Sequence, residues 1–307
     1  MTFIEYSMKR SLSVAFAALL AATALMFICS SPPADTTSQR ERRPHETGVP
    51  DVPKSATFCG EDVPLSRQDV YESLDREVIV NTFLHSNTLL ILKRSGRIFP
   101  QIEPILEEMG VPEDMKYLCV AESNLVPTAK SPAGAAGLWQ FMEGSARENG
   151  LRVTDDIDER LDVEKSTRAA CRMLLANYRT LGSWTLVAAS YNGGLGRVRK
   201  VMAQQMQDSY YDLHWAEETR RYVFRIVALK TIMQDPSAYG FDVDDDDLYP
   251  PYEIETVTAS TPIENLAQWA KDHGTSFRML KELNPWIVKS QIRAYRDSLR
   301  IAVPRAR

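Results

Sequence analysis

Glu122 is the residue of this chain best placed for acid–base chemistry. It ends a short, otherwise apolar segment that follows the helix opener at residues 111–114, where Pro112 and two acids are typical start signals. Helical spacing puts Leu118 and Met115 on the same face as Glu122. A carboxyl group among apolar neighbours is desolvated, and its pKa rises. Such an acid can protonate the leaving oxygen of a glycosidic bond, although a helix-terminal glutamate more commonly faces water.

Three further segments could bind a sugar polymer: residues 131–142, 188–194 and 218–223. Small residues at 133–137 permit close approach of backbone and polymer. The amide of Gln140 can donate to and accept from sugar hydroxyls. Met142 lines a sugar subsite or fills the core, and Tyr191 with Asn192 holds an acetamido group or merely ends a helix. Tyr222 donates to Glu122 or to the substrate, or is a packing residue.

Taken in order, the Glu122-Ser123 pair and these three segments resemble the motifs of goose-type-lysozyme-like lytic transglycosylases. Within them, the chain resembles the membrane-bound lytic murein transglycosylase D group. The resemblance covers roughly residues 60–240 and implies a mainly α fold with a lysozyme-like α-helical catalytic domain. It implies that peptidoglycan glycan strands are the substrate and that Glu122 is catalytic. It assigns substrate binding to Ser123, Gln140, Met142, Tyr191, Asn192 and Tyr222.

A second carboxylate, which ordinary glycosidases need at a set distance from the acid, is not fixed by any of these motifs. The acidic cluster at residues 155–159 is predicted as an exposed loop, and the candidates are Asp155, Asp156, Asp158 and Glu143. The resemblance implies a reaction with one carboxylate, in which Glu122 protonates the bond between N-acetylmuramic acid and N-acetylglucosamine. The substrate's acetamido oxygen assists at C1. Glu122 then takes the proton of the muramic C6 hydroxyl, which closes a 1,6-anhydro ring.

This reaction needs no cofactor and no metal. Two alternatives remain open from the sequence. One is a lysozyme-like muramidase that uses water and one of the loop acids. The other is a catalytically inactive scaffold that binds peptidoglycan.

The amino terminus is predicted to be a secretory signal, residues 1–29, because Lys9 and Arg10 precede an apolar run at residues 11–28. Cys29, followed by small residues, resembles a bacterial lipoprotein attachment site, although Ile28 stands where such signals prefer a small residue. An uncleaved anchor is the main alternative, since a run of this length can just span a bilayer. We expect a periplasmic, membrane-anchored protein, and the resemblance implies a Gram-negative host.

The stretch at residues 30–59 is rich in Pro, Ser, Thr and charge and is predicted to be a flexible tether. Within the predicted catalytic domain, residues 60–240, the pattern is helical throughout from residue 64 to residue 240, punctuated at Gly96, Pro100, Gly110 and Pro112. Helices are predicted at residues 69–92, 144–149, 163–181, 183–191, 194–206 and 217–234.

Composition changes at residues 241–252, which we interpret as an acidic linker. Its aspartates mimic part of a calcium loop but lack the required glycine. Residues 253–307 follow a β-α-α-β order that resembles a LysM domain, a small module that binds chains of N-acetylglucosamine. The stretch at residues 280–285 is its most recognisable piece.

The net charge of −5 over 307 residues gives no support to nucleic-acid binding. Cys119 and Cys171 fall on predicted core helices, where they could form a disulfide or remain buried thiols. With Cys59 and no nearby histidine, they do not suggest a zinc site.

Overall fold

The computed structural model describes residues 48–295 and 297–305. The predicted signal segment, the predicted lipid attachment site Cys29 and most of the predicted tether lie outside the described residues. Within the described ranges, no helix has both the length and the apolar character needed to cross a bilayer.

Helices dominate the described chain and confirm the mainly α fold class. A short hairpin, β1 (Thr57–Phe58) and β2 (Glu61–Asp62), precedes α1 (Gln68–Phe83), α2 (His85–Glu108), α3 (Met115–Ser123) and α4 (Glu143–Glu148). The larger domain continues with α5 (Val163–Leu181), α6 (Trp184–Gly193), α7 (Leu195–Gln205) and α8 (Glu217–Gln234). The C-terminal module consists of β3 (Ile254–Ala259), α9 (Leu266–Asp272), α10 (Phe277–Leu283) and β4 (Leu299–Pro304). Its two strands pair antiparallel, with Thr256 opposite Ala302.

The bounds of α5 and α8 agree with the sequence prediction, and for α5 the reason is that its end signals are local. The side chain of Asp162 caps α5 by accepting from the amide of Lys165, and Gly182, at φ +69°, ends the helix. The side chain of Ser183 then accepts from the amide of Leu186 and opens α6.

The first two helices differ from the prediction of one helix at residues 69–92. The chain breaks at Leu84, and α2 then runs on through Gly96, Pro100 and Pro104. An internal proline removes a backbone donor and disfavours a helix. Here the buried apolar residues keep their helical spacing past the prolines, so burial outweighs the local cost. They are Ile91, Leu92, Ile98, Ile102, Ile105 and Leu106.

The predicted end of the tether at residue 59 is wrong, because the packed domain already includes β1. Phe58 is fully buried in the main core. The Cys59 amide donates to Asp114 at 2.7 Å, and Lys230 donates to the Thr57 carbonyl at 2.9 Å. These bonds tie the hairpin to the start of α3 and to α8.

The predicted acidic linker packs against α2. Phe241 is buried and stacks on His85 with ring centroids 4.8 Å apart. The Tyr249 amide donates to the Lys93 carbonyl at 2.7 Å. A Cβ added at Gly96 would lie 2.7 Å from that of Leu248, so the close packing requires glycine there.

Two large apolar cores organise the described chain, beside a small third cluster of Leu92, Ile232 and Phe241. The main core lies among the helices of the larger domain and contains Cys119 and Cys171, both as buried free thiols. The second core combines residues of the C-terminal module with Ala136, Ile157 and Leu161 of the larger domain.

Candidate active site

Glu122 lies in the last turn of α3, one residue before the helix ends. Met115 and Leu118, predicted to share its face, are fully buried. Asn124 adopts the left-handed conformation at φ 51° and terminates the helix. Burial raises the pKa of Glu122 from 4.5 to about 7. The carboxyl group is therefore partly protonated near neutral pH.

Tyr222 approaches Glu122 from α8. Its buried hydroxyl donates a hydrogen bond to Oε1 of Glu122, one of the two contacts proposed from the sequence. After the dominant effect of burial, this bond and the positive charge of Arg225 lower the pKa of Glu122, whereas the negative charge of Glu218 raises it. A donor aimed at the carboxylate stabilises the charged form that the acid reaches after it has lost its proton.

Glu218 was not singled out as a site residue from the sequence. It is exposed in the first turn of α8, four residues before Tyr222 and so on the same helical face. This spacing within the segment 218–223 was the available signal.

Residues 131–141, here called the glycine-rich wall, fold back on themselves beside α3 and α6. Ala136 and Phe141 exchange two backbone hydrogen bonds of 3.1 Å. The Gly137 amide donates to the Ala129 carbonyl at 2.9 Å. These bonds give the wall a fixed backbone without regular secondary structure.

Gln140 stabilises the wall from within. Its backbone adopts the left-handed conformation at φ 46°. Its side-chain amide donates to the carbonyls of Gly137 at 2.8 Å and Ala129 at 3.2 Å. Its nitrogen is thus committed to the scaffold, and its oxygen is the atom left for a substrate. Met142 follows the wall directly and is 48% exposed, so it does not fill the core.

Gly137 allows a close backbone approach, but to the protein and not to a polymer. A Cβ at this position would lie 1.8 Å from the carbonyl oxygen of Arg160, and φ is +84°. The sequence predicted close approach of a polymer at these small residues, and the close approach that the structure shows at Gly137 is to another segment of the chain.

Tyr191 and Asn192 occupy the last turn of α6. The Tyr191 hydroxyl donates to the Trp139 carbonyl in the wall at 2.6 Å. Burial, and next the negative charge of Glu122, raise the pKa of Tyr191 well above its ordinary value. The Asn192 side-chain oxygen accepts from the hydroxyl of Thr219 at 2.9 Å. Its amide nitrogen is the group that can face a substrate.

Ser123, the remaining predicted binding residue, is turned into the protein. It is buried, and its hydroxyl donates to the Cys119 carbonyl of its own helix at 3.1 Å. The structure brings Tyr222 into contact with Glu122 and places Gln140 on the wall that Tyr191 contacts, but gives Ser123 a role within the helix.

The acids at 155–159 do not form the predicted exposed loop. Asp156, Asp158 and Glu159 are all buried. Arg293 bonds Asp156 at 2.9 Å, Arg160 bonds Asp158 at 2.8 Å, and Lys165 bonds Glu159 at 2.6 Å. The prediction of an exposed loop failed because it took no account of these cations. Arg160 and Lys165 lie close in sequence, whereas Arg293 comes from a distant segment of the chain.

The other two candidates for a second carboxylate are exposed and paired. Asp155 lies 3.7 Å from Lys289, and Glu143 lies 2.7 Å from Arg147 on its own helix. Among the described residues, no group of three or more His, Cys, Asp or Glu side chains is arranged to hold a metal ion.

Comparisons with known proteins identify two regions. Residues 102–213 match the family described as "Transglycosylase SLT domain". Residues 255–307 match the "Soluble lytic transglycosylase C-terminal LysM-like domain". The resemblances drawn from the sequence motifs are confirmed for both regions.

Among characterised relatives, "Membrane-bound lytic murein transglycosylase D" of Escherichia coli is 29% identical over 245 residues, which cover 77% of this chain and 53% of that protein. The chain thus spans about half the length of this relative. "Peptidoglycan transglycosylase gp16" of Escherichia phage T7 is 40% identical over 92 residues, 29% of this chain and 7% of that protein. Among solved structures, the 70 kDa soluble lytic transglycosylase of Escherichia coli matches with a TM-score of 0.40 and 22% identity, over 50% of this chain and 26% of that one.

Proposed function

We propose that this chain, which carries a transglycosylase SLT domain followed by a LysM-like domain, is a peptidoglycan lytic transglycosylase. Its substrate is the β-1,4 bond between N-acetylmuramic acid and N-acetylglucosamine, and its role is cell-wall turnover or remodelling. The observation that carries the proposal is Glu122, a largely desolvated carboxyl with a pKa of about 7 that accepts a hydrogen bond from Tyr222.

Glu122 begins the reaction as the acid. It donates its proton to the glycosidic oxygen, and the bond from that oxygen to C1 of the muramic sugar breaks. The acetamido oxygen of the same sugar forms a bond to C1 and takes up the developing positive charge, as in substrate-assisted glycosidases. The Tyr222 hydroxyl stabilises the carboxylate that remains on Glu122.

Glu122 then acts as the base. It accepts the proton of the C6 hydroxyl, whose oxygen attacks C1 while the bond from the acetamido oxygen to C1 breaks. The product carries a 1,6-anhydro ring, and the acid returns to its protonated state. Gln140 and Asn192 offer an amide oxygen and an amide nitrogen to the sugar, Tyr191 backs the site, and Met142 offers an apolar surface.

The ion pairs at residues 155–159 support this reaction over hydrolysis. Asp156, Asp158 and Glu159 are bound by cations and unavailable to activate water. Glu218 is the carboxylate left within electrostatic reach of Glu122, and a hydrolytic reaction would depend on it.

The products of digested sacculi test the proposal. Mass spectrometry of muropeptides released by the wild type should show anhydro products, lighter by one water than hydrolytic products. Glu122→Gln should release none while it retains its circular dichroism spectrum. Hydrolytic products would support the muramidase alternative, and a wild type that binds sacculi without cleaving them would support the inactive scaffold.

We also propose that the chain is held at a periplasmic membrane surface through Cys29 and that the LysM-like domain binds glycan. The apolar run before Cys29 and the name of the Escherichia coli relative support the first part. Labelled palmitate should be incorporated by the full-length protein in cells but not by Cys29→Ala. Incorporation by the variant would contradict the assignment of the lipid site.

A further inference from the structure

The C-terminal module and the glycine-rich wall share one apolar core. Ala136 belongs to the wall, and Ile157 and Leu161 belong to the segment beside it. All three are buried in one cluster with module residues, among them Trp286 and Ile287. Ile157 and Ile287 also form an isolated antiparallel bridge. A module that moved freely on a tether would not bury residues of the larger domain in its own core.

Asp156 is the polar centre of this junction. Its side chain is 1% exposed and accepts from the Arg293 backbone amide at 2.8 Å and from the Arg293 guanidinium at 2.9 Å. The Tyr295 hydroxyl donates to it at 2.7 Å, and Thr154 donates at 3.0 Å. The Val288 amide donates to its backbone carbonyl at 2.9 Å. Two module residues, Arg293 and Tyr295, are thus held by a single buried carboxylate, whose desolvation makes each bond necessary. A third, Val288, is held by the backbone of the same residue.

Arg160 connects the same segment to the wall. Its guanidinium forms a two-bond pair with Asp158, at 2.9 and 2.8 Å. It also donates to the wall carbonyls of Gly134 at 2.9 Å and Phe141 at 3.2 Å. The Arg160 carbonyl lies against Gly137, where even a methyl group would not fit. Arg160 therefore contacts the wall at three points, Gly134, Gly137 and Phe141.

The wall in turn contacts the elements that carry the acid. The Cys119 thiol on α3 donates to the Leu138 carbonyl at 3.5 Å, and Cys119 lies one helical turn before Glu122. Tyr191 on α6 donates to the Trp139 carbonyl at 2.6 Å. A displacement of the wall would move Gln140 relative to Glu122.

We propose that the LysM-like module is a structural support of the active site, with Asp156 and Arg160 as positioning residues that transmit its contacts to the glycine-rich wall. This role goes beyond glycan binding by the module, and its catalytic consequence rests on the proposed function. A substitution in the module should therefore loosen the wall, although the wall belongs to the larger domain.

Hydrogen exchange measured by mass spectrometry tests the physical link without any need for activity. In Arg293→Met, the wall amides of Ala136, Gly137 and Phe141 should exchange faster, on the order of tenfold. Lys289→Met is the matched control, because it removes an exposed pair of the same junction, 3.7 Å from Asp155, and should leave the wall unchanged. Tyr295→Phe removes one bond to Asp156 and keeps the test available if Arg293→Met does not fold.

The proposal would be overturned if the wall amides of Arg293→Met and Tyr295→Phe exchange at the wild-type rate. Faster exchange would then be confined to the module and residues 154–160. If the wild type does not turn over sacculi but the wall exchanges faster in the variants, the proposed function fails and the support role stands.

Kinetics of Arg160→Lys test the positioning role. A lysine keeps the charge but cannot hold Asp158 and two carbonyls at once. We expect KM for soluble glycan strands to rise on the order of tenfold with an unchanged pH profile, because the wall moves while Glu122 keeps its neighbours. Arg168→Lys, which alters an exposed pair with Glu108, is the control and should match the wild type. If kcat instead falls in proportion to the fraction of Arg160→Lys that is unfolded, while KM stays unchanged, the role of Arg160 is merely structural.

Discussion

Glu122 lies between groups that act on its proton in opposite directions. Burial and the negative charge of Glu218 favour the protonated acid, whereas Tyr222 and Arg225 favour the carboxylate. A residue that must first give up a proton and then take one back requires both influences, because a pKa far from the working pH would stop one of the two steps.

The pH dependence of kcat should therefore move in opposite directions in two variants. Tyr222→Phe removes a hydrogen bond that lowers the pKa of Glu122, so the alkaline limb, where the acid loses its proton, should move to higher pH. Glu218→Gln removes a charge that raises this pKa, so the same limb should move to lower pH. Glu217→Gln, in the same turn of α8, is the control and should leave the limb in place. Shifts of the same sign in both variants would refute this description of the site.

The raised pKa of Glu122 should also make the free energy of unfolding depend on pH, in a direction that is unusual for a carboxyl group. The pKa of Glu122 is about 7 in the fold against an ordinary 4.5, so between these values the folded state holds more protons than the unfolded state. The free energy of unfolding then falls as pH rises through this window. Glutamine does not titrate, so Glu122→Gln should not show this fall. Between pH 4 and pH 8, the free energy of unfolding of the variant, measured with urea, should rise relative to that of the wild type by up to about 3 kcal/mol. An equal difference at both pH values would contradict the raised pKa.

At the scale of elements, α6 depends on a residue from the N-terminal hairpin. Glu61 of β2 accepts from the backbone amides of Trp184 and Thr185, the latter at 3.0 Å. It also accepts from the hydroxyl of Ser183 at 2.9 Å. These amides are at the helix start, where an anion is favoured by the unpaired donors and the helix dipole. A residue predicted to lie just beyond a tether thus anchors the helix that carries Tyr191 and Asn192.

Glu61→Gln should destabilise the protein by about 1–2 kcal/mol, because an amide offers one acceptor where the carboxylate offers two and carries no charge. The midpoint of urea unfolding measures the loss. Glu72→Gln is the matched control, since Glu72 accepts an exposed bond from Gln68 on its own helix, α1, at 2.8 Å. Its midpoint should stay close to that of the wild type. Equal midpoints for Glu61→Gln and the wild type would show that the hairpin does not support α6.

Elements whose signals are local were predictable, and those that depend on distant partners were not. Asp162 and Gly182 delimit α5 in the sequence as they do in the structure. Helix α2 instead continues through Pro100 because of buried contacts that no window of residues displays. The acids near Asp156 looked solvated because Arg293 lies far along the chain.

The same distinction applies to the site. Spacing within α3 was enough to place Glu122 on an apolar helical face. A hydrogen bond from Tyr222 was one of three alternatives that the sequence left open, and the structure shows that bond. Ser123 was assigned to the substrate by the family resemblance, and the structure turns it into the helix. Glu218 stood in a quoted motif, yet its influence on Glu122 follows from the crossing of two helices, which the sequence does not specify.

At the scale of the whole molecule, the second core determines how the described chain should unfold. Independent domains on a linker unfold separately, whereas domains that share buried residues tend to unfold together. The shared core and the linker packed along α2 both favour a common transition.

Calorimetry should accordingly show one transition for residues 48–305, and Ile157→Ala should lower it as a unit. Ile157 is fully buried in the core that joins the two parts. Its truncation should cost about 2–5 kcal/mol, which lowers Tm by roughly 5–15 °C for a unit of this size. Val288→Ala is the matched control, because Val288 belongs to the same junction but is 44% exposed, and it should change Tm by little. Two resolved transitions in Ile157→Ala, with the larger one at the wild-type Tm, would mean that the main core holds the wall without the module.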